Sequence, residues 1–335
     1  MLEHGLRVDD KVLKAVVFIG READGGFTPY GTALIGLIKC EDFSNTVIVT
    51  ARHVVDNIKR HNTERGGSLV VRVNRKDGSS EPVKLKSEII ENRVADLCIF
   101  LQRLDPTIYD IWAYHLDSSE WNDRVRKVGL PQPGEEVCVA GLYTTHYGHI
   151  KNMPVVRIGN IAAVPDEPLI HDFGSAHGYL IECYSILGLS GSPVFKAVQK
   201  LVVNADKSIT HIESMYVLIG ILIGYHVTGS EADEIIVPEY QLPVKPRKGT
   251  LSPLRVSEQR RTGFAVVIAI QYIFSVFESE PFVSMLKSRI AEVREKIGFR
   301  PASATGPLAS DENPNHREDF TSLLSAAVRK REQER

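Results

Sequence analysis

Three short segments place a reactive side chain where an apolar run meets a turn. Val49-Thr50-Ala51-Arg52-His53-Val54-Val55 brings a run to its end at a histidine, and Val94-Ala95-Asp96-Leu97-Cys98-Ile99-Phe100 opens one with an aspartate. Gly188-Leu189-Ser190-Gly191-Ser192-Pro193-Val194-Phe195 sets a serine among glycines just before another run. These residue types have a chemical reason to meet. A serine hydroxyl is a poor nucleophile at neutral pH and needs an imidazole to take its proton. The imidazole needs a carboxylate on its other nitrogen, to hold the tautomer and stabilise the imidazolium. Negative charge then develops on a tetrahedral intermediate, and backbone N–H groups must meet it. Glycines beside the serine let the backbone turn so that such donors converge. Gly188 and Ser190 are the expected pair of donors, and acyl transfer is the chemistry.

Each segment alone carries little. A lone histidine is usually structural, an aspartate at the start of a strand is usually a turn residue, and Gly-x-Ser-Gly recurs by chance. Their conjunction in the order His53, Asp96, Ser190 carries more. It also separates this chain from the hydrolases built on a Gly-x-Ser-x-Gly elbow, whose order is serine, acid, histidine. Here the fifth loop position is Ser192, the histidine comes first, and strands do not alternate with helices.

The elements that must position these residues read as β-strands. From Val16 to about Ile270, short β-branched runs such as Ala33–Ile38, Val47–Val49, Leu97–Leu101, Val137–Ala140 and Val217–Ile223 are separated by Gly, Pro, Asn and Asp. This pattern predicts an all-β barrel or sandwich. Two sets of runs fall either side of about Asn122–Pro133, which suits two packed antiparallel barrels. The expected organisation is an N-terminal barrel over 1–125 carrying His53 and Asp96, and a second over 126–280 carrying Ser190. A C-terminal helix over 281–299 and a flexible tail over 300–335 follow. Phe282, Leu286, Ile290, Val293 and Ile297 share one helical face, with Gly298 and Pro301 to end it. Ser230–Thr262, with four prolines and many charges, reads as a long loop. The polar tail contains Phe320, Leu323, Leu324, Ala327 and Val328, one amphipathic set through which a partner, or the chain itself, could dock.

Composition sets outer bounds. The chain has 335 residues, 40 Lys+Arg against 42 Asp+Glu, and 43% hydrophobic residues. A chain of this size buries enough surface to fold without metal or disulfide staples, and its near-neutral balance argues against a broad nucleic-acid footprint. The four cysteines form no Cys-x-x-Cys pair, so neither a zinc site nor a disulfide framework is expected. Cys183 is expected in the core. His146, His149, His171 and His177 read as surface-loop histidines rather than metal ligands. No cofactor is expected. No leader is apparent, and the longest apolar runs fall short of the about 20 residues of a membrane span, so a cytoplasmic protein without membrane contact is expected.

These motifs resemble those of the chymotrypsin-like (trypsin-fold) serine proteases, in particular the bacterial branch with the HtrA proteases and glutamyl endopeptidases. GTALIGLI…VIVTARHVVDNI, ADLCIF, GLSGSPVF, LIGILIGYH and TGFAVVIA resemble successive landmarks of that family across about residues 13–278. The resemblance implies an endopeptidase acting on protein or peptide substrates, with His53 as general base, Asp96 as orienting acid and Ser190 as nucleophile. It also places Tyr184, Ile223, Gly224 and Tyr225 at the substrate cleft. Several positions depart from the family. Val54 and Leu189 remove a disulfide and a zymogen switch, and Tyr184 stands where a specificity aspartate would. Leu222 stands where a glutamate-reading histidine would, and Ile223 lacks the hydroxyl that usually supports the buried aspartate. The alternative to a peptidase is a non-catalytic or latent binding protein on the same fold.

Overall fold

In the computed structural model, residues 8–40, 43–85, 89–171, 173–183, 188–203, 209–227 and 261–297 are described. The loop expected over Ser230–Thr262 and the tail expected over 300–335 lie almost wholly outside them. Residues 1–290 form one compact unit. A second comprises 291–335, of which only the last residues of the C-terminal helix are described.

A short helix, α1 (Asp10–Lys14), opens the chain. The first sheet contains β1 (Val16–Ala23), β2 (Gly26–Cys40), β3 (Phe43–Ala51), β4 (Ser68–Asn74), β5 (Ser80–Lys84), β6 (Ile89–Asn92), β7 (Leu97–Leu101) and β8 (Tyr114–His115). Its ladder runs β5-β4-β1-β2-β3-β7-β6, with β8 alongside β2. The β1–β2 hairpin turns through Asp24-Gly25, both at positive φ, as a two-residue turn matched to strand twist requires. Between β3 and β4 lies α2 (Arg52–Arg65), which buries Val54, Val55 and Ile58.

The connection between the two halves is helical. In α3 (Ser118–Val128) the Asp117 carboxylate accepts from Glu120 N at the start, and Gly129 at φ +81° ends the helix. Then come β9 (Glu136–Gly141), β10 (Val155–Ala163), β11 (Leu169–His171), β12 (Gly174–Ala176), β13 (Gly178–Glu182), β14 (Pro193–Val203), β15 (Ile209–Val227) and β16 (Arg261–Ala269). Six of them close a barrel in the order β10-β13-β16-β15-β14-β9, while β11 and β12 pair outside it as a separate hairpin. The chain finishes with α4 (Gln271–Phe277) and α5 (Glu280–Ile297), the latter burying Phe282, Leu286 and Ile290 in the main core.

The all-β architecture with a closed barrel and a C-terminal helix is thus the one expected. The second sheet closes completely, whereas the first shows no closing strand pair among the described residues. α2, α3 and α4 were not expected. Cys98, Cys138 and Cys183 are buried, and burial pushes the Cys138 thiol up to about 12. They pack as small apolar groups. Among the described residues no helix is long and apolar enough to cross a membrane.

The two halves are tied by polar contacts as well as by shared core. Trp121 Nε1 donates to Leu218 O at 2.7 Å, and Leu218 N donates to Tyr114 Oη at 3.1 Å. On the other side Arg72, 6% exposed, donates to the carbonyls of Gly148 and His149 at 2.5 and 2.6 Å. Its guanidinium also lies over the Phe27 and Tyr147 rings. Burial lowers its basicity, and the carbonyls and ring faces compensate for the lost hydration.

Candidate active site

Asp96 sits in the turn before β7 at φ +52°, with no exposed surface. This left-handed conformation is tolerated by aspartate and asparagine better than by most residues. It aims the carboxylate at the start of α2. Ala51, which precedes the helix, has no side chain to cap it. Asp96 does so from a distance: its carbonyl accepts from Arg52 N at 2.7 Å and its Oδ1 from His53 N at 3.0 Å. The helix N-terminus in turn favours the negative charge. The second oxygen, Oδ2, meets His53 Nδ1 at 2.5 Å. One carboxylate therefore holds both the backbone and the ring of the same histidine. Arg52 adds a cation, its Nε 3.7 Å from Oδ1 while its Nη1 pairs with Asp56 at 2.7 Å. The His53 N–H and the Arg52 charge thus support Asp96 where Ile223 supplies no hydroxyl.

Ser190 lies in a tight turn. Ser192 N donates to Leu189 O at 2.9 Å, and Gly191 at φ +87° takes the third position. That angle calls for glycine. A Cβ at Gly191 would also collide with the Thr32 carbonyl and the Thr50 hydroxyl. The Ser190 hydroxyl donates to Ile223 O at 3.4 Å, and among the described residues no hydrogen bond joins it to His53. A long or unmade nucleophile–base contact is common before substrate binds. Gly191 N is committed to Leu222 O at 2.7 Å. Among the described residues, by contrast, the N–H groups of Gly188 and Ser190 donate to no protein acceptor. Those are the two groups expected to face an oxyanion.

The cleft positions are distributed differently from one another. The Ile223 side chain is 1% exposed and belongs to the core. It is the extra residue of a β15 bulge between Leu222 and Gly224, so what it offers the site is its carbonyl. A Cβ at Gly224 would meet open space. Tyr184 lies outside the described residues, as does the Tyr225 side chain. Among the described residues no group of His, Cys, Asp and Glu is arranged to hold a metal ion. His146 and His149 pack on the rings of Tyr143 and Tyr147.

One contact gave no warning in the sequence. Phe173, from the β11–β12 hairpin, stacks on the His53 ring with centroids 4.2 Å apart and planes 6° from parallel. The hairpin reaches the turn between β6 and β7 at Gly174, where a Cβ would stand 2.9 Å from Val94 O. The ring shields one face of the imidazole and leaves the His53 side chain 14% exposed. Phe173→Ala should therefore speed carbethoxylation of His53, followed by peptide mass spectrometry, by roughly the 2- to 10-fold equivalent of a stacked pair worth ~0.5–1.5 kcal/mol. An unchanged rate would show that the ring does not protect the histidine.

The fold is all-β, with two halves, a closed second barrel and a C-terminal helix. The protease domain of MamO from Magnetospirillum magneticum (apo form) is similar at a TM-score of 0.43 and 16% identity, covering 79% of this chain and 96% of that one. The Rv3671c protease from M. tuberculosis in its active form gives 0.42 and 13%, covering 80% and 82%. Deg5 gives 0.38 and 15%, covering 64% and 81%. No protein-family model matches the sequence, and no curated protein matches it.

Proposed function

We propose that this chain is a serine endopeptidase that cleaves peptide bonds through an acyl-enzyme on Ser190. The observation that carries this reading is the double grip of Asp96 on His53, at 3.0 Å to the backbone N–H and 2.5 Å to the ring. A carboxylate can only accept, so Nδ1 carries the proton and Nε2 is left as the base. That is the tautomer a serine nucleophile needs. Closure of substrate onto the site brings Nε2 and the Ser190 hydroxyl into line. His53 takes the hydroxyl proton as Oγ attacks the carbonyl carbon, and Asp96 stabilises the imidazolium. The Gly188 and Ser190 N–H groups receive the oxyanion. The imidazolium returns its proton to the leaving amine, and water repeats the sequence to release the acid. The substrates are proteins or peptides, cut in a cytoplasmic setting, with Tyr184, Gly224 and Tyr225 along the cleft. A partner docked through the tail over 300–335 would restrain or direct the activity.

Labelling by a fluorophosphonate probe tests the reading, because the probe reports an activated serine largely irrespective of side-chain preference. Wild type should label and Ser190→Ala should not. A folded wild type that fails to label would instead support the second reading, a binding protein on this fold. The unmade Ser190–His53 hydrogen bond is the observation that favours that alternative.

A further inference from the structure

Thr32 lies on β2, in the half of the molecule that does not carry the nucleophile, yet its polar groups converge on the Ser190 loop. Its N–H donates to Ser190 O at 2.9 Å. Its hydroxyl donates to Gly188 O at 2.7 Å and accepts from Leu142 N at 2.8 Å. Its own carbonyl accepts the Thr50 hydroxyl at 2.7 Å. Both threonines are fully buried. One hydroxyl has one proton to give and lone pairs to receive with, and here both uses are taken by the second barrel.

The two loop carbonyls that Thr32 holds lie either side of the peptide whose N–H belongs to Ser190. Fixing Gly188 O sets the plane of the 188–189 peptide, and fixing Ser190 O sets that of the 190–191 peptide. Gly188, at φ +101°, has no Cβ to restrain it and needs an external hold. We infer that Thr32 is a positioning residue. From the first sheet, it holds the Gly188–Gly191 loop in the shape that presents the Ser190 N–H to the oxyanion. The nucleophile loop of the second barrel then depends on the docking of the first half through a buried hydroxyl. The loop motif itself contains no hint of this, because the partner is remote in sequence.

This inference rests on the peptidase reading, and the test separates the two. The full chain is compared with Thr32→Val and Thr32→Ser, using the fluorophosphonate probe and burst kinetics with p-nitrophenyl acetate. Valine keeps the shape and removes the hydroxyl, while serine restores it. Thr32→Val should slow phosphonylation and acylation by roughly 10²-fold, the scale of losing one oxyanion donor. The concentration of ester giving half-maximal burst rate should stay close to wild type, since that uniform binding term does not use the oxyanion contacts. Thr32→Ser should react at close to the wild-type rate. Should the valine variant fail to fold, Thr32→Ala replaces it against Thr32→Ser. Equal rates in the hydroxyl and hydroxyl-free variants, in a wild type that labels, overturn the positioning role and leave the peptidase standing. A wild type that does not label removes both.

Discussion

Asp96→Asn should fold as wild type does and lose about 10⁴ in kcat, the loss typical when the acid of such a triad becomes an amide. The folding half of this expectation comes from the turn. At φ +52° asparagine is the replacement that the backbone accepts most readily. Its Oδ1 can go on accepting the His53 N–H now made at 3.0 Å, so the start of α2 keeps its cap. The chemical half comes from the other edge. With Oδ1 so engaged, the amide presents its NH₂ group to His53 Nδ1. Nδ1 must then accept, the ring proton moves to Nε2, and no lone pair remains for the Ser190 proton. The same substitution also leaves Arg52, 3.7 Å from Oδ1, beside a neutral group. The comparison is of burst rates with p-nitrophenyl acetate for wild type and variant of equal circular dichroism. A folded variant retaining a tenth or more of wild-type kcat would falsify the assignment of Asp96 as the group that holds His53.

What the sequence disclosed of this site was its residue types and their order. What it withheld was how distant groups complete one another. His53 read as the end of a strand. It is in fact the second residue of α2, and that helix can begin at an alanine only because Asp96 caps it across 43 residues of chain. Thr32 and Thr50 stand within apolar runs, yet both are fully buried: the Thr32 hydroxyl joins the two halves, and Thr50 holds the Thr32 carbonyl. Phe173 had no local signature. By contrast, α3 was legible in principle. Asp117 and Glu120 three residues later form a helix-start signature, and Gly129 marks the end. Its few apolar positions hid it between two β-rich stretches. The strand expectation succeeded where apolar runs were continuous, as in Leu97–Leu101, which is buried throughout. It underestimated β14 and β15, whose lysines and glutamate divide continuous 11- and 19-residue strands into apparent fragments.

The largest expected effect on stability lies at a charge buried between these elements. Lys196, on β14, is 2% exposed. Its ammonium donates to the carbonyls of Val128, Gly129 and Leu130 at 3.0, 3.1 and 3.3 Å, and stands 2.7 Å from Glu135 Oε1. Those carbonyls are the end of α3 and its exit, where a helix has unpaired acceptors and the negative end of its dipole. A single cation thus pins the connection between the two halves to the strand that leaves the nucleophile loop. Lys196→Met keeps most of the volume and removes every one of these partners. The part-buried carbonyls lose their donor, and Glu135 loses its counter-charge. Breaking a fully buried pair typically costs about 3–5 kcal/mol, which bounds the loss from above because Glu135 is one-third exposed, against a typical total stability of about 5–15 kcal/mol. Urea unfolding of the full chain should show the loss as a lower midpoint. The wild-type contribution should change little between low and high salt, because buried pairs are weakly screened. Glu135→Gln should cost much less, since the three carbonyls would keep their donor and Glu135 is one-third exposed. If Lys196→Met and Glu135→Gln shift the midpoint equally, the ion pair rather than the helix-end carbonyls is what the lysine serves.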